Sequence, residues 1–158
     1  MMTRAELVRH LMTELVPFNR VLGIEVDVVE DERVEVVLPA SPHRLNHVGT
    51  VHAAAQFGLG EATAGTLVIS SFPEVQEKRA VPLAASATIR YRRPASGDLR
   101  GIAMLPMATR IELRKELEES GKTRFTMPVQ IFDLQGTLTT ELEIAWVLRP
   151  VEATTSRT

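Results

Sequence analysis

The stretch Asn46–Ser71, NHVGTVHAAAQFGLGEATAGTLVISS, decides how the rest of the chain is read. From Val48 onward it contains no proline, its only full charge is Glu61, and it is rich in Ala and Gly. An uninterrupted apolar run of this length reads as one buried helix. Its small side chains let other backbone wrap it closely, which suits a helix enclosed by a curved sheet. A lone carboxylate inside such a helix must be desolvated, then partnered, protonated or kept for chemistry. Glu61 is therefore the first candidate for a functional acid. The plainer alternatives are a carboxylate on a partly exposed helix face and a salt bridge across a dimer.

Helical phase constrains what Glu61 can do. His52 and Glu61 are nine residues apart, which at roughly 100° and 1.5 Å per residue is about half a turn of phase and about 13 Å of rise. The two ends cannot meet within one helix. A site using both must be composite, with Glu61 of one chain facing the helix start of another, and a two-fold dimer supplies that arrangement twice. Free N–H groups around Val51 to Ala54, at the positive end of the helix dipole, are expected to hold a developing negative charge.

The pattern Asn46-x-x-Gly49-x-x-His52-Ala53-Ala54, with an acid nine residues past the histidine, resembles the hotdog-fold thioesterases, specifically the phenylacetate-degradation-type (PaaI-like) acyl-CoA thioesterase branch. Arg93-Pro94-Ala95-Ser96-Gly97, following a strand-like segment, is similar to the Arg-Pro-Ala-x-x-Gly passage of that family. The departure is His52-Ala53-Ala54 where the family has His-Gly-Gly; a backbone N–H serves there, so Ala53 keeps the donor while its methyl narrows the approach. The resemblance implies an α+β hotdog fold: an antiparallel curved sheet wrapped around a long central helix. It further implies Glu61 as nucleophile or general base, the Ala53 N–H as oxyanion donor and Asn46 as a polar positioning group. No cofactor or metal is implied.

Composition agrees with a single domain. At 158 residues, with 44% hydrophobic residues and a net charge of −2, the chain can bury a core of its own and carries no basic footprint for nucleic acid. It has no cysteine, which removes disulfides, thiolate nucleophiles and zinc–cysteine sites and fits a reducing compartment. The first residues lack a signal peptide's apolar core, so a cytoplasmic location is expected. The 48–71 run is long enough to span a bilayer, but Glu61 near its centre and the strand-like flanks argue against membrane insertion.

Along the chain, Thr3-Arg4-Ala5-Glu6 is a capping box opening a helix that runs to about Val16 and stops at Pro17. Residues 23–30 and 33–38 read as a hairpin, and 72–79 as an exposed connection. Residues 81–93 alternate as a half-covered strand, with Leu83, Ala85, Ala87, Ile89 and Tyr91 on one face. A strand over 99–105 follows. Next comes an inserted helix near 109–119 with its own capping box at Thr109 to Glu112, and then a hairpin of 122–133 and 137–149. Pro128 argues for an edge or a bulge at its position. The single domain covers 1–150, and 151–158 reads as a flexible tail.

Several site residues carry two readings. Asn46 is either a substrate-positioning amide or a loop residue bonding its own backbone, and His52 is either chemical or a structural cap. Gly49 serves the tight turn before the helix, at the edge of the substrate site. Ala54 and Gln56, in the first turn, are candidate substrate contacts, with an interface amide the alternative for Gln56. Arg90, Arg92 and Arg93 form a cluster suited to the phosphates of coenzyme A or to solvent. His43, His47 and His52 lack the companion ligands of a metal site. The expected substrate is an acyl-CoA or acyl-carrier thioester, the expected assembly a homodimer or a dimer of dimers. Two alternatives remain: a hotdog 3-hydroxyacyl-thioester dehydratase, from the 14-residue spacing of His47 and Glu61, and a non-catalytic acyl-thioester-binding dimer.

Overall fold

Nineteen residues of the Ala-rich run form one helix, α3 (Ala53–Ser71), and the rest of the chain is arranged around it. The computed structural model describes residues 1–152, so the expected tail from position 153 onward lies outside the described residues. Before α3 come α1 (Arg4–Glu14), α2 (Pro17–Leu22), β1 (Glu25–Val29), β2 (Arg33–Leu38) and a single 3-10 turn at Pro42–Arg44. After it come α4 (Pro73–Gln76), β3 (Ala80–Tyr91), β4 (Leu99–Met104), α5 (Met107–Ser120), β5 (Thr123–Phe132) and β6 (Leu138–Pro150). The six strands make one antiparallel sheet in the order β1-β2-β4-β5-β6-β3. The helix packs against all six. Leu59, Ala62, Ala64, Leu67 and Val68 of α3 are wholly buried against Val34, Val36, Leu99, Met127, Ile131, Leu142 and Ile144 of the sheet. No helix among the described residues is long and apolar enough to cross a membrane.

Small residues bring the layers together. A Cβ on Gly101 of β4 would lie 2.2 Å from Thr63 Oγ1 of α3, and that hydroxyl is held by its own bond to the Leu59 carbonyl at 2.7 Å. Gly101→Ala is therefore expected to lower stability by about 1–3 kcal/mol through overpacking, readable as a reduced denaturant midpoint at unchanged slope.

The two sheet edges are treated differently. On β1 a bulge between Val26 and Val28 breaks the ladder, and Arg9 of α1 donates to the Val26 and Asp27 carbonyls at 3.0 and 2.7 Å. β3 is left open. Among the described residues its outer edge has no partner strand, and Leu83 to Thr88 are exposed on both faces rather than half-covered as expected. A bulge at Ala85 also reverses its parity. Leu83 consequently shares the outer face with Ser86, Thr88 and Arg90, while Ala84, Ala87, Ile89 and Tyr91 take the inner one.

Other expectations need correction. Pro17 does stop α1, but its fixed φ also suits a helix start, and it opens α2. The 72–79 connection is not exposed throughout: Phe72 and Glu74 are buried, with Glu74 Oε1 accepting from Arg114 Nη2 at 2.8 Å. That pair fastens α5 to the body of the domain. α5 begins two residues before the expected capping box, with Pro106 at its cap and the Glu32 carboxylate accepting the Met107 N–H. Pro128 lies on an interior strand rather than an edge, one residue beyond the last β4–β5 pair, Ala103 with Val129, and still paired with Glu143 of β6. The capping box at Thr3 and the hairpin turn at residues 134–136 stand where the sequence places them.

Candidate active site

The loop leading into α3 is fixed by its own polar groups. Asn46 Oδ1 accepts the N–H groups of Val48 and Thr50, each at 3.1 Å, and its Nδ2 donates to Thr50 Oγ1 at 2.8 Å. Asn46 thus acts on the loop, and any influence on a ligand passes through the position of the helix start. Gly49 takes φ +81°, the left-handed turn that its lack of a Cβ permits. Beyond it, Leu45 bridges to Val51 and the chain enters the helix with His52 as cap.

Helix starts leave backbone donors without intrahelical acceptors. Three of the four expected between Val51 and Ala54 are occupied. The Val51 N–H donates to the Ala95 carbonyl at 2.8 Å and the His52 N–H to the Arg44 carbonyl at 2.7 Å. The Ala54 N–H donates to His52 Nδ1 at 3.0 Å. Of these four, only the Ala53 N–H has no acceptor among the described residues, and Ala53 is exposed. The broader cradle expected from the sequence is therefore a single amide. His52 serves as the N-cap acceptor, its Nδ1 engaging the Ala54 N–H.

Two further side chains anchor this first turn. Gln56 is buried; its Nε2 donates to the Val51 carbonyl at 2.9 Å and its Oε1 accepts from Thr140 of β6. Its amide is thus engaged within the fold and not offered to a ligand. Tyr91, at the end of β3, donates to the Ala53 carbonyl at 3.0 Å. A lone Thr140 among the apolar residues of one face of 137–149 was a hint of the first; nothing in the β3 pattern distinguished Tyr91 from its neighbours.

One stripe of α3 escapes the sheet. Ala53, Ala54 and Phe57 are exposed and Glu61 is half-buried, while nearly all the rest of the helix is buried. This stripe lies beside β3, whose inner face is also open. Among the described residues Glu61 has no hydrogen-bond or ion-pair partner, and burial pushes its carboxyl above the usual carboxylate range. A carboxylate in that state is a better proton acceptor than a solvated one.

The remaining candidates lie elsewhere. Arg90 stands on the outer face of β3 and Arg92 follows just past its end, along a groove of about 330 Å³ shared with Gln130 and Glu143. Arg92 is paired with Glu141 at 2.6 Å, and Arg93 is exposed in the following loop. His43 and His47 are exposed, and among the described residues no three His, Asp or Glu side chains group as metal ligands.

A six-stranded antiparallel sheet curled around one helix, with a lone acid on that helix and an unengaged amide at its start, is the architecture of a hotdog domain. The chain belongs to the family described as Domain of unknown function (DUF4442), whose model matches residues 4–148, and with it to the hotdog-fold thioesterase superfamily. A solved Pseudomonas aeruginosa protein of unknown function, described as a probable thioesterase, is 34% identical; the match covers 92% of this chain and 95% of that one with a TM-score of 0.82. A thioesterase family protein from Silicibacter pomeroyi is 16% identical, with 94% and 100% covered and a TM-score of 0.72. The PaaI protein of the E. coli phenylacetic acid degradation operon is 15% identical, with 96% of each chain covered and a TM-score of 0.68. These last two are alike in fold. No curated protein matches the chain.

Proposed function

We propose that the protein is a homodimeric hydrolase of acyl thioesters, foremost acyl-CoA, with Glu61 as base or nucleophile and the partner subunit's Ala53 N–H as oxyanion donor. The observation that carries this reading is an unpartnered acid and the one unengaged amide of the helix start, both on the open stripe of an otherwise enclosed helix. Along α3 the two are eight residues apart, or about 12 Å, too far to serve one carbonyl within a single chain. Two copies joined antiparallel along the open β3 edge would continue the sheet and bring the two α3 stripes side by side, running in opposite directions. Glu61 of each then faces the helix start of the other. The thioesterase description of the P. aeruginosa relative supports the same chemistry.

In the base route Glu61 takes a proton from a water molecule as the oxygen attacks the thioester carbonyl. The carbonyl oxygen becomes an oxyanion held by the Ala53 N–H, and its collapse expels the thiolate, which recovers the proton from Glu61. In the nucleophile route the Glu61 carboxylate attacks instead, the thiolate leaves, and water then hydrolyses the mixed anhydride. Arg90 and Arg93 make no ion pair among the described residues and stand near the end of β3 that carries Tyr91, available to phosphates of coenzyme A. The test is thiol release across a panel of acyl-CoA esters, with a thiol reagent against which this cysteine-free chain gives no background. Glu61-dependent release supports the reading. Tight binding without release at any chain length contradicts it and favours a non-catalytic binder.

A further inference from the structure

Phe57 is the one large apolar side chain of α3 that is substantially exposed among the described residues, at 37%. It lies midway between Ala53 and Glu61, one turn from each, on the same stripe. A two-fold axis that sets Glu61 against the partner subunit's Ala53 must cross the helices at that midpoint, so Phe57 faces its own copy. The surroundings also restrict where an acyl group can go. A Cβ on Gly58 would lie 2.6 Å from Leu22, and one on Gly60 would lie 2.5 Å from Leu142, so the helix is sealed there without room for a methyl. What stays open is the stripe itself, beside the exposed inner face of β3, with Tyr91 held against Ala53 at one end.

We propose that Phe57 lies on the two-fold axis and forms the wall shared by the two acyl slots, setting the longest acyl group they accept. This rests on the dimeric reading above and adds to it the residue that decides substrate size. The acyl chain runs from the carbonyl along the stripe and ends against the ring.

Two measurements test it. The chain has no cysteine, so Phe57→Cys introduces a single thiol. Helices packed at about 8–10 Å place facing residues within the ~4.4–6.8 Å Cα separation of a disulfide. Mild oxidation should therefore give a covalent dimer from Phe57→Cys and not from Ile69→Cys, which lies near the other end of α3 and packs against the core. In the second measurement, Phe57→Ala should raise the kcat/KM ratio of longer over shorter acyl-CoA esters by about tenfold or more. Phe57→Leu is read in the same way if the alanine variant dissociates. Absence of the Phe57→Cys crosslink, or an unchanged acyl profile in a dimeric variant, overturns the inference. The crosslink needs no activity, so it remains readable if the wild type hydrolyses nothing, which defeats the functional reading instead. An unchanged profile with Glu61-dependent hydrolysis defeats only the role of Phe57.

Discussion

Glu61→Gln is expected to lower kcat for acyl-CoA hydrolysis by about 10³-fold with little change in KM, the scale of a lost general base. The substitution preserves shape and removes the proton acceptor. Wild-type kcat/KM should rise with pH through an apparent pKa above the ordinary carboxylate range, because burial raises the Glu61 carboxyl. Stability moves in the opposite sense. A carboxyl whose folded pKa is raised favours the folded state below its unfolded pKa, and that contribution is lost as pH rises through the folded value. At neutral pH the Gln variant should therefore melt above the wild type, with the difference shrinking in acid. Unchanged thiol release by Glu61→Gln would end the assignment.

Ala53→Pro is expected to lower kcat by about 10²–10³-fold, the usual cost of losing one oxyanion donor, while leaving the fold intact. Proline removes the N–H and nothing else of consequence at this position. Ala53 is the first residue of α3, where proline is well tolerated. His52 already holds φ −60° and ψ 140°, the extended conformation a proline requires of its predecessor. No hydrogen bond among the described residues is lost, because the Ala53 N–H makes none. Far-UV circular dichroism and the melting temperature should stay near wild type. Retained turnover in a folded Ala53→Pro protein would place the oxyanion elsewhere.

The central helix, the strands before and after it along the chain and the acid at position 61 were legible because each depends on local pattern: an apolar run without proline, period-two strands and one charge among small residues. What escaped depends on tertiary choices. Whether Gln56 turns toward a ligand or toward Thr140 is decided by β6, 84 residues away. The bulge at Ala85 shifts the faces of β3 with no glycine or proline to announce it. Of the amides expected to be free, Val51 is claimed by Ala95 and His52 by Arg44, through contacts that only the folded loop creates. Glu74 looked like part of a solvated charge run until α5 brought Arg114 to it.

Subunit mixing tests the composite site most directly. Glu61→Gln and Ala53→Pro homodimers each have both sites damaged, but a heterodimer of the two keeps one intact site, built from Glu61 of one chain and the Ala53 N–H of the other. Random exchange in equal amounts should restore about one quarter of wild-type activity. Activity no greater than that of the two variants measured apart would mean that acid and amide do not meet across two chains.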